Sequence, residues 1–442
     1  MNQGKNVATE HLLYRICFTL TVLCTLWVSW RFVQIYVCQP YINLDRNIDW
    51  GYLNGGLAKI HSFYDTLSWW HGTWCGQVPF WRPITSYVFW IMRLLWQPEF
   101  FLPRQIVFIA LHLGFIAMAW RFLFVLTKRP WLSMFTILWF TGFCSGSKPS
   151  MIMFNTLDDP KNLPEPLTGL FILGSLLLIM RGKWIGGLFL AACAVACKEL
   201  GFVVWPLAVL VLGWKYLQES GANPLIGLRK RIRANALPVI CWAGVLIGLG
   251  VLHYISVGIG YRMGTNQYWW RKALNYFCGP VLLGLMSING GLHVAAIGIV
   301  ISLKARTKSL LLKSACILIA LGCGIAVDSY LQNTDIVIAA VRVLELERST
   351  VIFQAVWILV GLWALRDIRT VLLGLLCCLI AAAPAWLATQ TTIHTHYVAQ
   401  LFMSLAVVAT WAQLFLHIRK TIRPAYSDCT PLRLPAKVHR RK

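Results

Sequence analysis

The sequence predicts an all-α, polytopic integral membrane protein with about twelve spanning helices, and three observations carry that prediction. Composition is the first. Of 442 residues, 58% are hydrophobic and 13% are charged. The mean hydropathy is +0.64, and a soluble chain of this length needs far more polar surface. The second is pattern: apolar stretches recur between short polar breaks, many of them near the roughly 20 residues that cross a hydrocarbon core. The third is the sidedness of charge, which the order of the helices makes testable.

Apolar runs place helices near 16–37, 104–126, 131–147, 166–181, 184–197, 201–217, 237–257, 280–303, 310–328, 350–365, 370–388 and 397–417. With the N-terminus inside, the cytoplasmic segments are 1–15, 127–130, 181–183, 215–236, 303–313, 366–369 and 418–442, holding 25 Lys/Arg and 4 Asp/Glu. The opposite face holds 13 Lys/Arg and 12 Asp/Glu, and Arg31 and Arg121 fall within spans. An error of one helix would invert half of these assignments, so the bias supports an orientation with both termini cytoplasmic. The chain then divides into a cytoplasmic N-terminus (1–15), a transmembrane domain (16–417) and a basic tail (418–442) suited to anionic lipid.

Two stretches depart from simple spans. The segment 84–96 is short and carries Arg93, and reads as an interfacial or re-entrant helix; amphipathic helices of this kind are expected in the first external loop, 39–103. Helix 184–197 is also short and reads as half of a broken pair with 201–217. Helix 16–37 is too long for the apolar core of a signal peptide and reads as the first span. A multi-pass protein of modest length fits a bacterial cell inner membrane, or the endoplasmic reticulum membrane if the chain is eukaryotic.

The net charge of +24 does not mark a nucleic-acid binder, because the excess sits in short loops between apolar segments, where topology accounts for it. Most of the 14 cysteines, such as Cys193, Cys197, Cys316, Cys323, Cys377 and Cys378, lie inside apolar runs and read as small buried hydrophobes. Cys38, Cys75, Cys144 and Cys278 fall near the outer face, and no C-x-x-C pair has zinc spacing.

The external segments hold the groups able to do chemistry. Loop 39–103 contains NLDRNIDWGYLNGG, SFYDTLSWWHGTWCG and PFWRPITSYVFW, with tryptophans at 50, 69, 70, 74, 81, 90 and 96 beside Asp45, Asp49 and Asp65. An interfacial aromatic belt explains some of these rings. An aromatic shelf next to carboxylates also suits a sugar, whose C–H face packs on rings while its hydroxyls bond to carboxylates. The loop FNTLDDPKNLPEP adds Asp158 and Asp159. Lys198-Glu199 interrupts about 30 apolar residues in AACAVACKELGFVVWP, and an ionisable pair at membrane depth is a functional-site candidate by default; the alternative is a turn at the outer interface. A lysine there holds a phosphate as a point charge, with Glu199 as its counter-ion or a polar ligand. Arg262, Arg271, His396 and Tyr397 lie in later external segments. The reactive groups thus face one side, as a membrane enzyme with a lipid-linked donor requires.

The order of these features resembles the GT-C superfamily of polyprenyl-phosphate-sugar-dependent glycosyltransferases, and within it the protein O-mannosyltransferase, aminoarabinose-transferase and TMTC-like branch. A first span is followed by an external loop with an early aspartate (Asp45), by Arg82-Pro83 opening W-R-P-I-T-S-Y-V-F, and by Lys198-Glu199 closing a short helix. The likeness covers roughly the first 220 residues, with a similar His396-Tyr397 later. It implies an inverting transfer of sugar from a polyprenyl-phosphate donor to a glycan, lipid or protein acceptor of the cell envelope. A loop carboxylate, Asp45 first and Asp49 second, would act as general base. Lys198, Arg82, Arg262 and Arg271 would stabilise the lipid phosphate that leaves. Some members use a divalent metal and others do not; Asp45 with Asp158 or Asp159 offers carboxylates for one. The first rival reading is a lipid or glycolipid transporter or flippase, which needs polar groups such as Asn289, His293 and His253 along a path across the membrane. The second is a non-catalytic membrane scaffold.

Overall fold

The computed structural model describes residues 2–37, 55–75, 80–96, 101–141, 162–220, 236–258, 315, 318–319, 369–387 and 397–427. Every regular element among them is helical: α1 (Asn2–Val37), a 3-10 helix (Tyr64–Trp70), α2 (Pro83–Leu95), α3 (Phe101–Thr127), α4 (Pro130–Thr141), α5 (Pro164–Met180), α6 (Trp184–Cys197), a second 3-10 helix (Glu199–Val203), α7 (Val204–Ser220), α8 (Ala236–Val257), α9 (Arg369–Leu387) and α10 (Tyr397–Ser427). The chain forms two units, Met1–Ile288 with Arg369–Val408, and Asn289–Ile368 with Ala409–Lys442. In the second unit the described residues are 315, 318–319 and 409–427. Helices α1 to α9 and the start of α10 belong to the first unit.

Among the described residues, four helices are long and apolar enough to cross a membrane: Leu12–Trp30, Ile106–Thr127, Glu199–Tyr216 and Ile240–Val257. Their outer faces are apolar. Leu12, Ile16, Leu23 and Trp27 on α1, and Leu237, Ile240, Ile247 and Ile255 on α8, are exposed, an arrangement that lipid tolerates and water does not. This is an α-helical membrane protein. The expected spans at 280–303, 310–328 and 350–365 lie outside the described residues, apart from helical positions 315, 318 and 319.

The expected boundaries that fall on described residues mostly lie within a few residues of the helices, the expected end at 147 lies outside those residues, and two boundaries differ for a physical reason. The helix expected to begin at 16 begins at Asn2, because segment 1–15 contains no proline and nothing in it stops the backbone ladder. The last helix runs to Ser427 rather than 417, again with no breaker until Pro424. The short element expected at 84–96 is the 13-residue α2. It buries Phe89 and Met92 against the bundle while Ile91, Leu94 and Leu95 stay exposed.

The bundle is tied along its length by small residues and aromatics. Ser175 of α5 donates to the Gly187 carbonyl of α6 at 2.8 Å, a contact that small residues on facing helices permit. At one end, Arg121 of α3 donates to the Tyr14 hydroxyl of α1 at 3.2 Å, where Tyr14 meets Trp120 and Phe124 edge-on at 4.9 Å each. At that same end Lys215 of α7 donates to the Met180 carbonyl of α5 at 2.6 Å. The opposite end is where α2, the start of α5, the α6–α7 junction and the end of α8 meet.

That junction is the predicted break. Helix α6 stops at Cys197, Lys198 is extended (φ −165°, ψ 150°) and Glu199 opens the 3-10 helix. The turn folds back on α6 so tightly that a Cβ on Gly201 would lie 2.3 Å from the Ala194 carbonyl carbon and 2.3 Å from the Val195 nitrogen. Only glycine fits there. Gly201→Ala is expected to lower the thermal stability of the detergent-purified protein by roughly 1–3 kcal/mol, the usual cost of overpacking a rigid contact. Gly244→Ala, where nothing lies within 4 Å of the added carbon, should melt like the parent. Equal melting of the two variants would contradict this packing.

Candidate functional site

The candidate site begins with the residues of W-R-P-I-T, each of which has a separate task. Trp81 is fully buried and its indole N–H donates to the Trp70 carbonyl at 2.9 Å. Pro83 occupies the first turn of α2, where its missing N–H costs nothing. Thr85 donates from Oγ1 to the Cys197 carbonyl at 2.8 Å, satisfying an acceptor that the end of α6 would otherwise leave open. Ser86 accepts the Cys75 N–H at 3.1 Å. Cys75 is a free, buried thiol, and burial pushes its pKa up to about 12. The motif therefore clamps the first loop onto the end of α6.

Between these anchors lies Arg82. Its Nη2 donates to Glu199 Oε2 at 3.1 Å. Its guanidinium sits 4.7 Å from the Trp74 ring centroid and 4.4 Å from that of Phe80, within cation–π range of both. Lys198, the residue before Glu199, bonds instead to Glu165 Oε1 at the start of α5. The extended backbone at Lys198 lets these two neighbours point to partners on different segments. His253 of α8 completes the group, with Nε2 3.9 Å from Glu199 Oε1.

Three of the five side chains lie in a dry environment. Glu165 is 2% exposed, Lys198 8% and Arg82 9%. Two carboxylates and two cations balance formally, but the hydrogen bonding is incomplete. Among the described residues, Arg82 Nε, Glu165 Oε2, Glu199 Oε1 and His253 Nε2 are buried atoms without a hydrogen-bond partner. Buried polar atoms of this kind are met in folded proteins by ordered water or by a ligand.

Of the residues predicted from sequence, the structure brings together Arg82, Lys198 and Glu199. Tyr397 is fully buried at the start of α10, and its hydroxyl is bonded to Nδ1 of His112 on α3. Asp45, Asp49, Asp158, Asp159, Arg262, Arg271 and His396 lie outside the described residues. Asp65 is exposed and serves its own turn, accepting the backbone N–H groups of His61 at 2.9 Å and Ser62 at 2.8 Å; those bonds hold its carboxyl below the usual aspartate range. Of the seven tryptophans of this loop, Trp69, Trp74 and Trp81 are buried, Trp70, Trp90 and Trp96 are partly buried, and Trp50 lies outside the described residues.

Sequence reasoning missed Glu165 in the cluster and His112 beside Tyr397, and named His253 only as a polar group along a transport path. Glu165 sits in L-P-E-P beside the more conspicuous Asp158-Asp159, and its signal was its position at the head of an apolar helix. His112 is a lone polar residue within an apolar run. Among the described residues no group of three or more His, Cys, Asp or Glu is arranged to hold a metal. Glu165 and Glu199 are engaged by Lys198 and Arg82, cations that would compete with one.

Breaking one partner of a buried pair leaves an uncompensated charge, typically a loss of about 3–5 kcal/mol, whereas replacing both with apolar residues is often nearly neutral. Arg82→Met is therefore expected to destabilise the purified protein strongly, and Arg82→Met with Glu199→Met to recover much of the loss in thermal unfolding. Additive losses would show that the two side chains do not form the pair.

No family model, curated protein or solved structure matches the chain.

Proposed function

We propose that this protein is a GT-C-like membrane glycosyltransferase that moves a sugar from a polyprenyl-phosphate donor to an acceptor on the non-cytoplasmic side. One observation carries the reading. Arg82 and Lys198-Glu199, two of the three features on which the family resemblance chiefly rests beside Asp45, are separated by more than a hundred positions yet meet in one cluster with unpartnered polar atoms. A purely structural clamp gains nothing from leaving those atoms unmatched. A ligand rich in hydroxyls and phosphate oxygens supplies both the donors and the acceptors they lack.

In this reading the acceptor oxygen attacks the anomeric carbon as a loop carboxylate, Asp45 first and Asp49 second, takes its proton. The bond to the phosphate oxygen breaks, inverting the anomeric centre, and the lipid phosphate departs. Arg82 and Lys198, with Arg262 and Arg271, stabilise its charge, and His396 and Tyr397 complete the polar surround. The apolar helices hold the polyprenyl tail. Twelve spans with both termini in the cytoplasm put this chemistry on the outer face, in a bacterial inner membrane or its endoplasmic-reticulum counterpart. A divalent metal belongs to the reading only if Asp45 joins Asp158 or Asp159, and no step depends on one.

The test is transfer of labelled sugar from a panel of polyprenyl-phosphate hexoses by the purified, reconstituted protein. Label should move to an acceptor, and Asp45→Asn should abolish transfer while the protein still reaches the membrane at parental levels. Full activity in that variant would remove Asp45 from the mechanism. Label that crosses the bilayer still attached to its lipid would instead establish the transporter or flippase reading.

A further inference from the structure

Glu199 and His253 face each other in a way that neither the ion pairs nor the loop clamp uses. Glu199 spends one carboxylate oxygen on Arg82. The other oxygen lies 3.9 Å from His253 Nε2, too far for a direct hydrogen bond. Neither atom has another hydrogen-bond partner among the described residues. The imidazole is fixed between two aromatic edges, Trp81 at 6.1 Å and Phe202 at 6.3 Å between centroids. Both side chains keep an accessible edge, 14% for His253 and 18% for Glu199.

The separation suits one bridging atom about 2.8 Å from each of these two groups. With the imidazole proton on Nε2, that atom donates to the carboxylate and accepts from the imidazole N–H. A hydroxyl does both. A phosphate oxygen cannot donate to Glu199, in this tautomer an ammonium cannot accept from His253, and an apolar group satisfies neither atom. Glu199 is held on its far side by Arg82, itself seated between Trp74 and Phe80, so the carboxylate is oriented before any ligand arrives.

We propose that Glu199 and His253 together bind one hydroxyl of a substrate sugar, so that this pair recognises the sugar while the cations beside it meet the lipid phosphate. The inference rests on the glycosyltransferase reading and adds to it a sugar-contacting residue, His253, on α8. A hydroxyl entering here parts the pair and satisfies both atoms at once. The bond to an ionised partner makes the contact worth on the order of tenfold in affinity or more.

The test compares binding of bare polyprenyl phosphate with binding of a panel of polyprenyl-phosphate hexoses to the full-length protein in nanodiscs. At least one glycosylated lipid should bind about tenfold more tightly than bare polyprenyl phosphate. His253→Leu should erase that difference while leaving bare polyprenyl phosphate bound as before, which also shows that the variant is folded. His253→Gln, which keeps an N–H donor at similar reach, should restore part of it. An unchanged sugar increment in His253→Leu would overturn the proposal, as would a panel in which no sugar adds affinity. Failure of both bare and glycosylated lipids to bind would instead sink the transferase reading on which it rests.

Discussion

A charge taken out of water must be met by another charge, and here that rule fixes where the first loop sits. Lys198 and Glu199 are adjacent in a chain that is otherwise apolar for a dozen residues on either side. Helical geometry would splay the pair over neighbouring positions of one turn. The extended backbone at Lys198 sends the two side chains to different partners, Glu165 at the head of α5 and Arg82 at the head of α2. The α6–α7 break, the start of α5 and the first loop are thereby locked to one another by two ion pairs that share one peptide unit. Such pairs add little net stability, because desolvation offsets most of the Coulomb attraction. What they supply is specificity: any other docking of the loop would strand a buried charge.

Around that lock the remaining contacts are ordinary membrane-protein packing turned to one purpose. Thr85 closes the open carbonyl of α6, Gly201 lets the turn lie against Ala194, and Trp81 wedges between the loop and α8. Each brings backbone closer to the cluster and removes water from it. Dry surroundings strengthen every interaction inside, which is the condition under which a few fixed cations can hold a phosphate. The same dryness makes unmatched donors and acceptors expensive.

Much of the fold was legible because hydropathy and charge bias report on lipid directly. The bounds of α6 agree with its apolar run, because Lys183 and Lys198 bracket it. The start of α1 and the end of α10 were not legible, since helices leave the bilayer without a sequence signal when no breaker follows. Within the site, Lys198, Glu199 and Arg82 stood out as charges in apolar or aromatic surroundings. Glu165 did not, because a carboxylate flanked by prolines resembles a solvated loop until a buried lysine is found beside it. The tryptophans divide: Trp69, Trp74 and Trp81 are taken up by packing while Trp70, Trp90 and Trp96 keep exposed surface, and only tertiary contact distinguishes the two uses.

Whether the Arg82–Glu199 and Lys198–Glu165 pairs bind substrate or only clamp the loop is decided by an experimental structure of the protein in nanodiscs with a polyprenyl-phosphate hexose. A phosphoryl group is expected within hydrogen-bond reach of Arg82 or Lys198, with the sugar extending toward Glu199. A lipid headgroup resolved elsewhere, with the cluster closed and unchanged, would contradict that expectation.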